Sequence, residues 1–108
     1  MKEVLIVKHA VGGRTFIHSG TDSLSYEVHP EGEGWRITVS TPKNAAIEEL
    51  LNWKHELNVF LFQEFDDQPT RKIWFYVKEG PVRYEDQLQQ LIIKAQSRID
   101  YVPDEFDM

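Results

Sequence analysis

Apolar and polar residues alternate at residues 24–28 and 35–39, and glycine or proline interrupts the first 41 residues at short intervals. A period of two is typical of a strand with one buried face, so these two segments predict half-buried strands. Residues 4–9 begin with four consecutive apolar residues, three of them β-branched, which fits a strand covered on both faces. The adjacent residues Gly12 and Gly13 favour a hairpin, because both can take positive φ. We therefore predict a four-stranded antiparallel meander with strands at residues 4–9, 15–18, 24–28 and 35–39.

The pattern becomes helical after Pro42. Asn44 is a suitable N-cap, and Glu48 and Glu49 follow it near the positive end of the helix dipole. Apolar residues then recur with helical spacing, together with one lysine whose stem can lie over the stripe: Ile47, Leu50, Leu51, Lys54 and Leu57. This spacing predicts the first helix.

Residues 58–65 are compatible with two structures. They can extend the first helix, but they are rich in β-branched and aromatic residues and show no solvated face. They also end at a turn-forming run around Pro69, before a second apolar segment. We favour a hairpin in which residues 58–65 pair with residues 71–78, both strands being covered on both faces.

A second helix is predicted for residues 84–99, because one apolar stripe there has helical spacing: Leu88, Leu91, Ile92, Ala95 and Ile99. Acids in its first turn and bases toward its end suit the helix dipole. The element order is then β-β-β-β-α-β-β-α. The predicted fold class is α+β, an antiparallel sheet with two helices packed on one face. A curved sheet that wraps the first helix is a variant of this prediction.

Length and charge predict one domain followed by an acidic tail. The chain has 108 residues, a common domain size, and residues 1–100 are assigned to that domain. The net charge of −6 comes from the second half, and residues 101–108 are expected to form a flexible acidic tail. Acidity disfavours nucleic-acid binding and suits a basic protein surface. The lack of cysteine favours the cytoplasm, and no apolar run is long enough to span a membrane.

No sequence motif enforces a catalytic, cofactor or metal site, and we predict none of the three. The serines lie outside a nucleophile elbow, and the paired acids occupy adjacent positions that do not face one site. His55 and Glu56 lack the second histidine of a zinc-protease helix. His9, His18 and His29 are interpreted as surface or half-buried side chains. The chain is therefore predicted not to be an enzyme.

The aromatic residues supply the candidate contact surface. Three Trp, four Tyr and six Phe are a large set for this length, so some are either core or an exposed interface. The tail interleaves carboxylates with rings, a pattern that can order on a partner. The candidate partner-binding residues are Trp53, Phe60, Phe62, Trp74, Tyr76, Tyr101, Asp104, Glu105, Phe106 and Asp107.

Three functions are consistent with these features. The first is a small acidic module that occupies a partner protein, as an inhibitor, an immunity or antitoxin-like factor, a phage-type accessory or a chaperone; a homodimer is a related possibility. The second is a small-ligand binder or enzyme with a pocket between sheet and helices, its polar groups being His9, His18, His29, Arg14 and Arg36. The third is a structural subunit of a homo-oligomeric assembly, joined through exposed strand edges.

Overall fold

The computed structural model describes residues 2–77 and 81–102, and these contain nine strands and one helix. In chain order the elements are β1 (Lys2–His9), β2 (Thr15–His18), β3 (Ser25–Glu31), β4 (Gly34–Ser40), α1 (Ala45–Asn52), β5 (Leu57–Glu64), β6 (Arg71–Tyr76), β7 (Val82–Glu85), β8 (Gln90–Ala95) and β9 (Ser97–Tyr101). The first sheet has the strand order β2-β1-β5-β6-β9 and the second has the order β3-β4-β8-β7. All of the strand pairs are antiparallel.

The core lies between the two sheets, where alternate residues of their strands meet. Val59 and Phe75 on the first sheet and Ile37 and Ile93 on the second are fully buried. The Phe75 ring also meets the ring of Trp35 on the second sheet edge-on, at 6.2 Å between centroids. Burial of apolar surface stabilises a fold by roughly 25 cal/mol per Å², so contact between the sheets is the main source of stability.

Helix α1 packs against β2 and contributes to the same core. Asn44 Oδ1 accepts a hydrogen bond from the backbone N–H of Ile47 at 3.0 Å, which confirms the predicted N-cap. Ile47 and Leu50 are buried. The helix ends at Asn52, before the last residues of the predicted stripe.

Charged side chains close the edge of the sandwich at β9. The guanidinium of Arg98 lies over the Trp35 ring at 4.1 Å from its centroid. Asp100 forms ion pairs with both Arg71 and Arg98. This network joins β9 to β6 and holds Arg98 against the second sheet at the margin of the core.

The predicted fold class is wrong, because residues 84–99 form strands instead of a second helix packed on a sheet face. β8 pairs with β4 along its whole length. Leu91, Ile93 and Ala95 alternate toward the core, whereas Leu88, which a helical stripe would bury, is 67% exposed. The apolar run at residues 91–93 is compatible with both the helical and the strand period, and in the structure it forms a strand because it pairs with β4.

The single predicted sheet is replaced by two sheets. The four strands of the first half are present, but β2 is an edge strand of the first sheet and β3 is an edge strand of the second. The first half is therefore two hairpins and not one meander. The hairpin predicted for residues 58–65 is confirmed, since Asn58 through Gln63 pair with Tyr76 through Arg71. The predicted cover on both faces is wrong, because Tyr76 on the outer face is 45% exposed.

The predicted tail falls partly within the described residues. Tyr101 is the last residue of β9, and Val102 follows it half-buried. Asp104, Glu105, Phe106 and Asp107 lie outside the described residues. Among the elements that the structure describes, no helix is long and apolar enough to cross a membrane.

Candidate functional site

The outer face of the first sheet carries a continuous band of apolar side chains. Because side chains alternate along a strand, the neighbours of the buried core residues point away from the core. The register places Ile6, Phe60, Trp74 and Ile99 side by side across β1, β5, β6 and β9. We call this surface the aromatic face, and it comprises Val4, Ile6, Phe60, Phe62, Lys72, Trp74, Tyr76, Ile99 and Tyr101.

The rings of the aromatic face pack against one another. Phe60 lies 6.4 Å from Phe62 and 6.3 Å from Trp74 between ring centroids, and Trp74 lies 6.5 Å from Tyr76. These are the tilted and edge-on arrangements that aromatic pairs prefer. Tyr76 is 45% exposed and Ile99 is 51% exposed, while the other rings are half-buried.

No described element covers the aromatic face. Helix α1 packs against β2 and the core, and the second sheet lies on the opposite side of the first. Apolar residues scattered singly on a surface are ordinary, but a contiguous patch of them marks an interaction site. The extent of this patch, from β1 to β9, is what makes it a candidate site.

Lys72 lies among the rings of the aromatic face. Its Nζ is 4.2 Å from the centroid of Phe60, 5.3 Å from that of Phe62 and 5.7 Å from that of Tyr101. A cation over a ring is attracted by about 0.5–2 kcal/mol, depending on how far it is desolvated. Within residues 2–77 and 81–102, Lys72 forms no ion pair with an acid. A carboxylate brought to this place would therefore meet an ammonium group without an acidic partner among the described residues.

The charge of this side of the sheet differs from that of the chain. The alternation along the strands places three lysines on the outer face of the first sheet: Lys2, Lys8 and Lys72. Glu64, which pairs with Lys2, is an acid on the same face. The chain as a whole has a net charge of −6. The side of the sheet that carries the aromatic band is thus locally basic.

The outer face of the second sheet is polar by comparison. Lys94 pairs with Glu31 at 3.5 Å, and Arg83 pairs with Glu85 at 2.9 Å. Such exposed ion pairs are typical of a solvated surface and contribute little to stability. The two outer faces of the sandwich therefore differ in chemistry.

The structure brings together five of the predicted partner-binding residues, Phe60, Phe62, Trp74, Tyr76 and Tyr101. Trp53 lies apart from them, after α1, where its ring stacks on His9 at 4.8 Å and is 42% exposed. The four tail residues are outside the described part of the chain.

Sequence reasoning missed several members of the face. Val4 and Ile6 were interpreted as part of a strand covered on both sides, and Ile99 was assigned to a helix. Lys72 falls within the strand predicted for residues 71–78 but is not among the predicted partner-binding residues. Strand pairing reveals all four, because β1 and β9 flank the β5–β6 hairpin.

The polar groups proposed to line a ligand pocket are spread over both sheets, and two of them, His29 and Arg36, line a concavity of about 390 Å³ on the second sheet. His29 and Arg36 are cross-strand neighbours in the second sheet, whereas His18 pairs with Ile6 in the first. Arg14 forms an ion pair with Glu49 of α1, and His9 lies 3.6 Å from Glu56. No metal-binding group of three or more His, Asp or Glu residues occurs among the described residues.

A groove beside the start of α1 has a volume of about 380 Å³. Phe16, Asp22, Thr41 and Asn44 are among the residues that line it, and none of the five proposed polar groups does so. Its polar side chains are partly engaged already, because Asp22 accepts a hydrogen bond from the His18 backbone and Asn44 caps α1. The groove therefore adds no convergent set of free polar groups to the ligand-binding hypothesis.

Comparison of the chain with protein-family models, with curated proteins and with solved structures finds no significant match.

Proposed function

We propose that the chain is a protein-binding module and that the aromatic face is its contact surface. The observation that carries the proposal is the apolar band from β1 to β9, which no described element covers. The centres of protein interfaces are enriched in Trp, Tyr and Phe and depleted in charged residues, lysine included. The rings of the band match this composition, and Lys72 is the charged exception among them.

The chemistry of the face favours a partner with apolar side chains and a nearby carboxylate. The apolar groups would pack on Phe60 and Trp74, and the carboxylate would pair with Lys72. This proposal replaces the expectation of a basic partner, which rested on the acidity of the second half of the chain. A homodimer formed face to face is disfavoured, because it would oppose two lysine-bearing surfaces.

The proposed mode of action is occupation of a partner's surface. An inhibitor, an immunity or antitoxin-like factor, a phage-type accessory and a chaperone all act in this way, and we retain the whole class. The cytoplasmic location expected from the lack of cysteine remains part of the proposal.

Charge substitutions at exposed positions test the proposal without disturbing the core. Ile99→Glu places a carboxylate at the β9 edge of the band, beside Trp74, at a side chain that is 51% exposed. Leu88→Glu is the matched control, because Leu88 is 67% exposed in the turn between β7 and β8, away from the aromatic face. Thermal unfolding of both variants checks that each remains folded.

The readout is the affinity for a partner that is captured from native lysate, identified and then purified. We expect Ile99→Glu to weaken binding by tenfold or more, which is about 1.4 kcal/mol, and Leu88→Glu to leave it unchanged. Tyr76→Glu, also at an exposed position, should repeat the loss. A partner that binds both face variants as tightly as the original chain would overturn the proposal, and so would the absence of any captured protein.

A further inference from the structure

We propose that two copies of the chain associate edge to edge, by antiparallel pairing of β9 with β9 of a second copy, centred on Ile99. The pairing joins the first sheets of the two copies into one continuous sheet. It goes beyond the proposed function, because it uses the edge of the first sheet and not the aromatic face. It also differs from a face-to-face dimer, in which two lysine-bearing surfaces would oppose each other.

β9 lacks the protection that the other three sheet edges have within the described part of the chain. Proteins protect an edge with a very short strand, a proline or cover from another element, because its unpaired backbone groups can otherwise pair with a further strand. β2 and β7 have four residues each, and α1 packs against β2. β3 contains Pro30. β9 has five residues and no proline, and no described strand pairs with its outer edge.

The charges of β9 are arranged symmetrically about its centre. Arg98 and Asp100 flank Ile99. Both lie on the core side of the sheet, because they pair with the buried residues Phe75 and Ile73. In an antiparallel pairing centred on Ile99, Arg98 of each copy lies opposite Asp100 of the other. Opposite charges at such positions stabilise a strand pair, so charges that usually discourage edge pairing here favour a second copy of the same strand.

Both charged side chains remain partly accessible at this edge. The side chain of Arg98 is 31% exposed and that of Asp100 is 23% exposed. Arg98 Nε and Asp100 Oδ1 lie 3.2 Å apart, yet Oδ1 accepts no hydrogen bond from a described residue. A carboxylate oxygen held away from water without a donor is unusual in proteins. A guanidinium placed opposite Asp100 by a second copy would supply such donors.

The pairing also covers apolar surface at the β9 edge. Ile99 is 51% exposed and is the central outward side chain of β9. In the pair, Ile99 of one copy lies opposite Ile99 of the other, so part of each side chain leaves water. The aromatic face then continues from one copy into the other. Because two short strands bury less than the roughly 1,200 Å² of a stable interface, we expect a weak dimer that depends on concentration.

Sedimentation of the full chain at increasing concentration tests for this dimer. Between about 10 μM and about 1 mM, the range of weak association, we expect the average mass to rise from that of one chain toward that of two. The backbone amides of β9 should exchange with solvent more slowly at the higher concentration, because the pairing adds hydrogen bonds along that edge. A mass that stays monomeric throughout this range would overturn the inference.

Two charge reversals identify the edge. Arg98→Glu places a glutamate opposite Asp100 of the second copy, and Asp100→Arg places an arginine opposite Arg98, so each variant alone should associate about tenfold or more weakly. Mixed in equal amounts, the two variants have opposite charges at both positions and should associate about as strongly as the original chain. Recovery in the mixture is also the folding control, because two unfolded variants would not recover.

Ile99→Glu should weaken self-association too, since two glutamates would then face each other, and Leu88→Glu is again the matched control. A dimer that both charge variants retain, or a mixture no stronger than either variant alone, overturns edge pairing. If such a dimer is lost in Tyr76→Glu, the association belongs to the aromatic face instead. Arg98→Glu and Asp100→Arg leave the outward side chains of that face unchanged, so the two proposals fail separately.

Discussion

The carboxylate of Glu3 links the two sheets through hydrogen bonds that can be tested one residue at a time. The hydroxyl of Tyr26, on β3 of the second sheet, donates to Glu3 Oε1 at 2.6 Å. Gln63 Nε2, on β5 of the first sheet, donates to Glu3 Oε2 at 2.9 Å. Burial, the hydrogen bond to Glu3 and the charge of Glu3 together raise the pKa of Tyr26 well above its ordinary value of 10.0.

Because the pKa of Tyr26 is raised in the folded state, its ionisation should lower the stability of the fold in alkali. The phenol is neutral in both states below about pH 10, so its contribution to stability is fully present there. Above that pH the unfolded state releases its proton first, and the contribution falls as the pH rises toward the folded-state pKa. Tyr26→Phe should lower the free energy of unfolding by about 1–3 kcal/mol at neutral pH, because it removes a hydrogen bond to a carboxylate.

The measurement is urea unfolding of both proteins at several pH values. The difference between them should be constant from about pH 7 to about pH 9 and should shrink above about pH 10. The neutral range is the internal control, since ionisation of Tyr26 makes no contribution there. A difference that stays constant into strong alkali would show that the Tyr26 proton is not coupled to folding.

The close pairing of β4 and β8 depends on a glycine at the start of β4. A Cβ added to Gly34 would lie 2.2 Å from the carbonyl oxygen of Ala95, far inside van der Waals contact. The obstacle is backbone, which cannot rotate away as a flexible side chain would. Gly34 therefore permits the close approach of two strands from distant parts of the sequence.

Gly34→Ala should destabilise the fold by roughly 1–3 kcal/mol, the usual cost of forcing extra atoms into a packed site. The measurement is the midpoint of chemical unfolding. Ser40→Ala is the matched control, because Ser40 ends the same strand, pairs with Gln90 of β8 and is exposed. An unfolding midpoint for Gly34→Ala equal to that of the control would mean that β4 and β8 are not held this close.

The elements that the sequence predicts correctly are those whose signals are local. Short apolar or alternating segments between glycine turns mark β1–β4, and the Asn44 cap marks α1. The helix predicted for residues 84–99 is wrong because, over a short run, their apolar spacing is compatible with a helix and with a strand. Pairing of β8 with β4 decides between them, and that contact joins residues that lie 50 to 60 positions apart in the sequence. A local pattern carries no information about such a partner.

At the scale of the whole molecule, the sequence predicts half of the candidate site. Alternation along β5 and β6 places Phe60 with Phe62, and Trp74 with Tyr76, on shared faces whatever the topology. The inclusion of Ile99 and the exclusion of Trp53 depend on the order of strands in the sheet. The local basic charge depends on that order too, because the lysines come from β1 and β6. Summed charge along the chain hides this local excess.

The two faces of the first sheet should respond differently to truncation of one large ring. Phe75 is fully buried against Trp35 and the core, whereas Phe60 lies half-buried on the aromatic face. Phe75→Ala should cost about 3–5 kcal/mol, the range for a buried aromatic that leaves a cavity. This is a large fraction of the roughly 5–15 kcal/mol that stabilises a typical domain, so the variant should be partly unfolded near physiological temperature.

Phe60→Ala should cost less than half as much, because part of the ring is already in contact with water and the surrounding face can relax. Chemical unfolding of the two variants under identical conditions gives both numbers, and the unfolding slope should be unchanged if each unfolds as a whole. The smaller stability loss for Phe60→Ala should accompany the larger loss of partner affinity, since that ring lies at the centre of the proposed contact. Equal stability losses would contradict the assignment of Phe60 to an outer face, and with it the separation of a core side from a binding side in the first sheet.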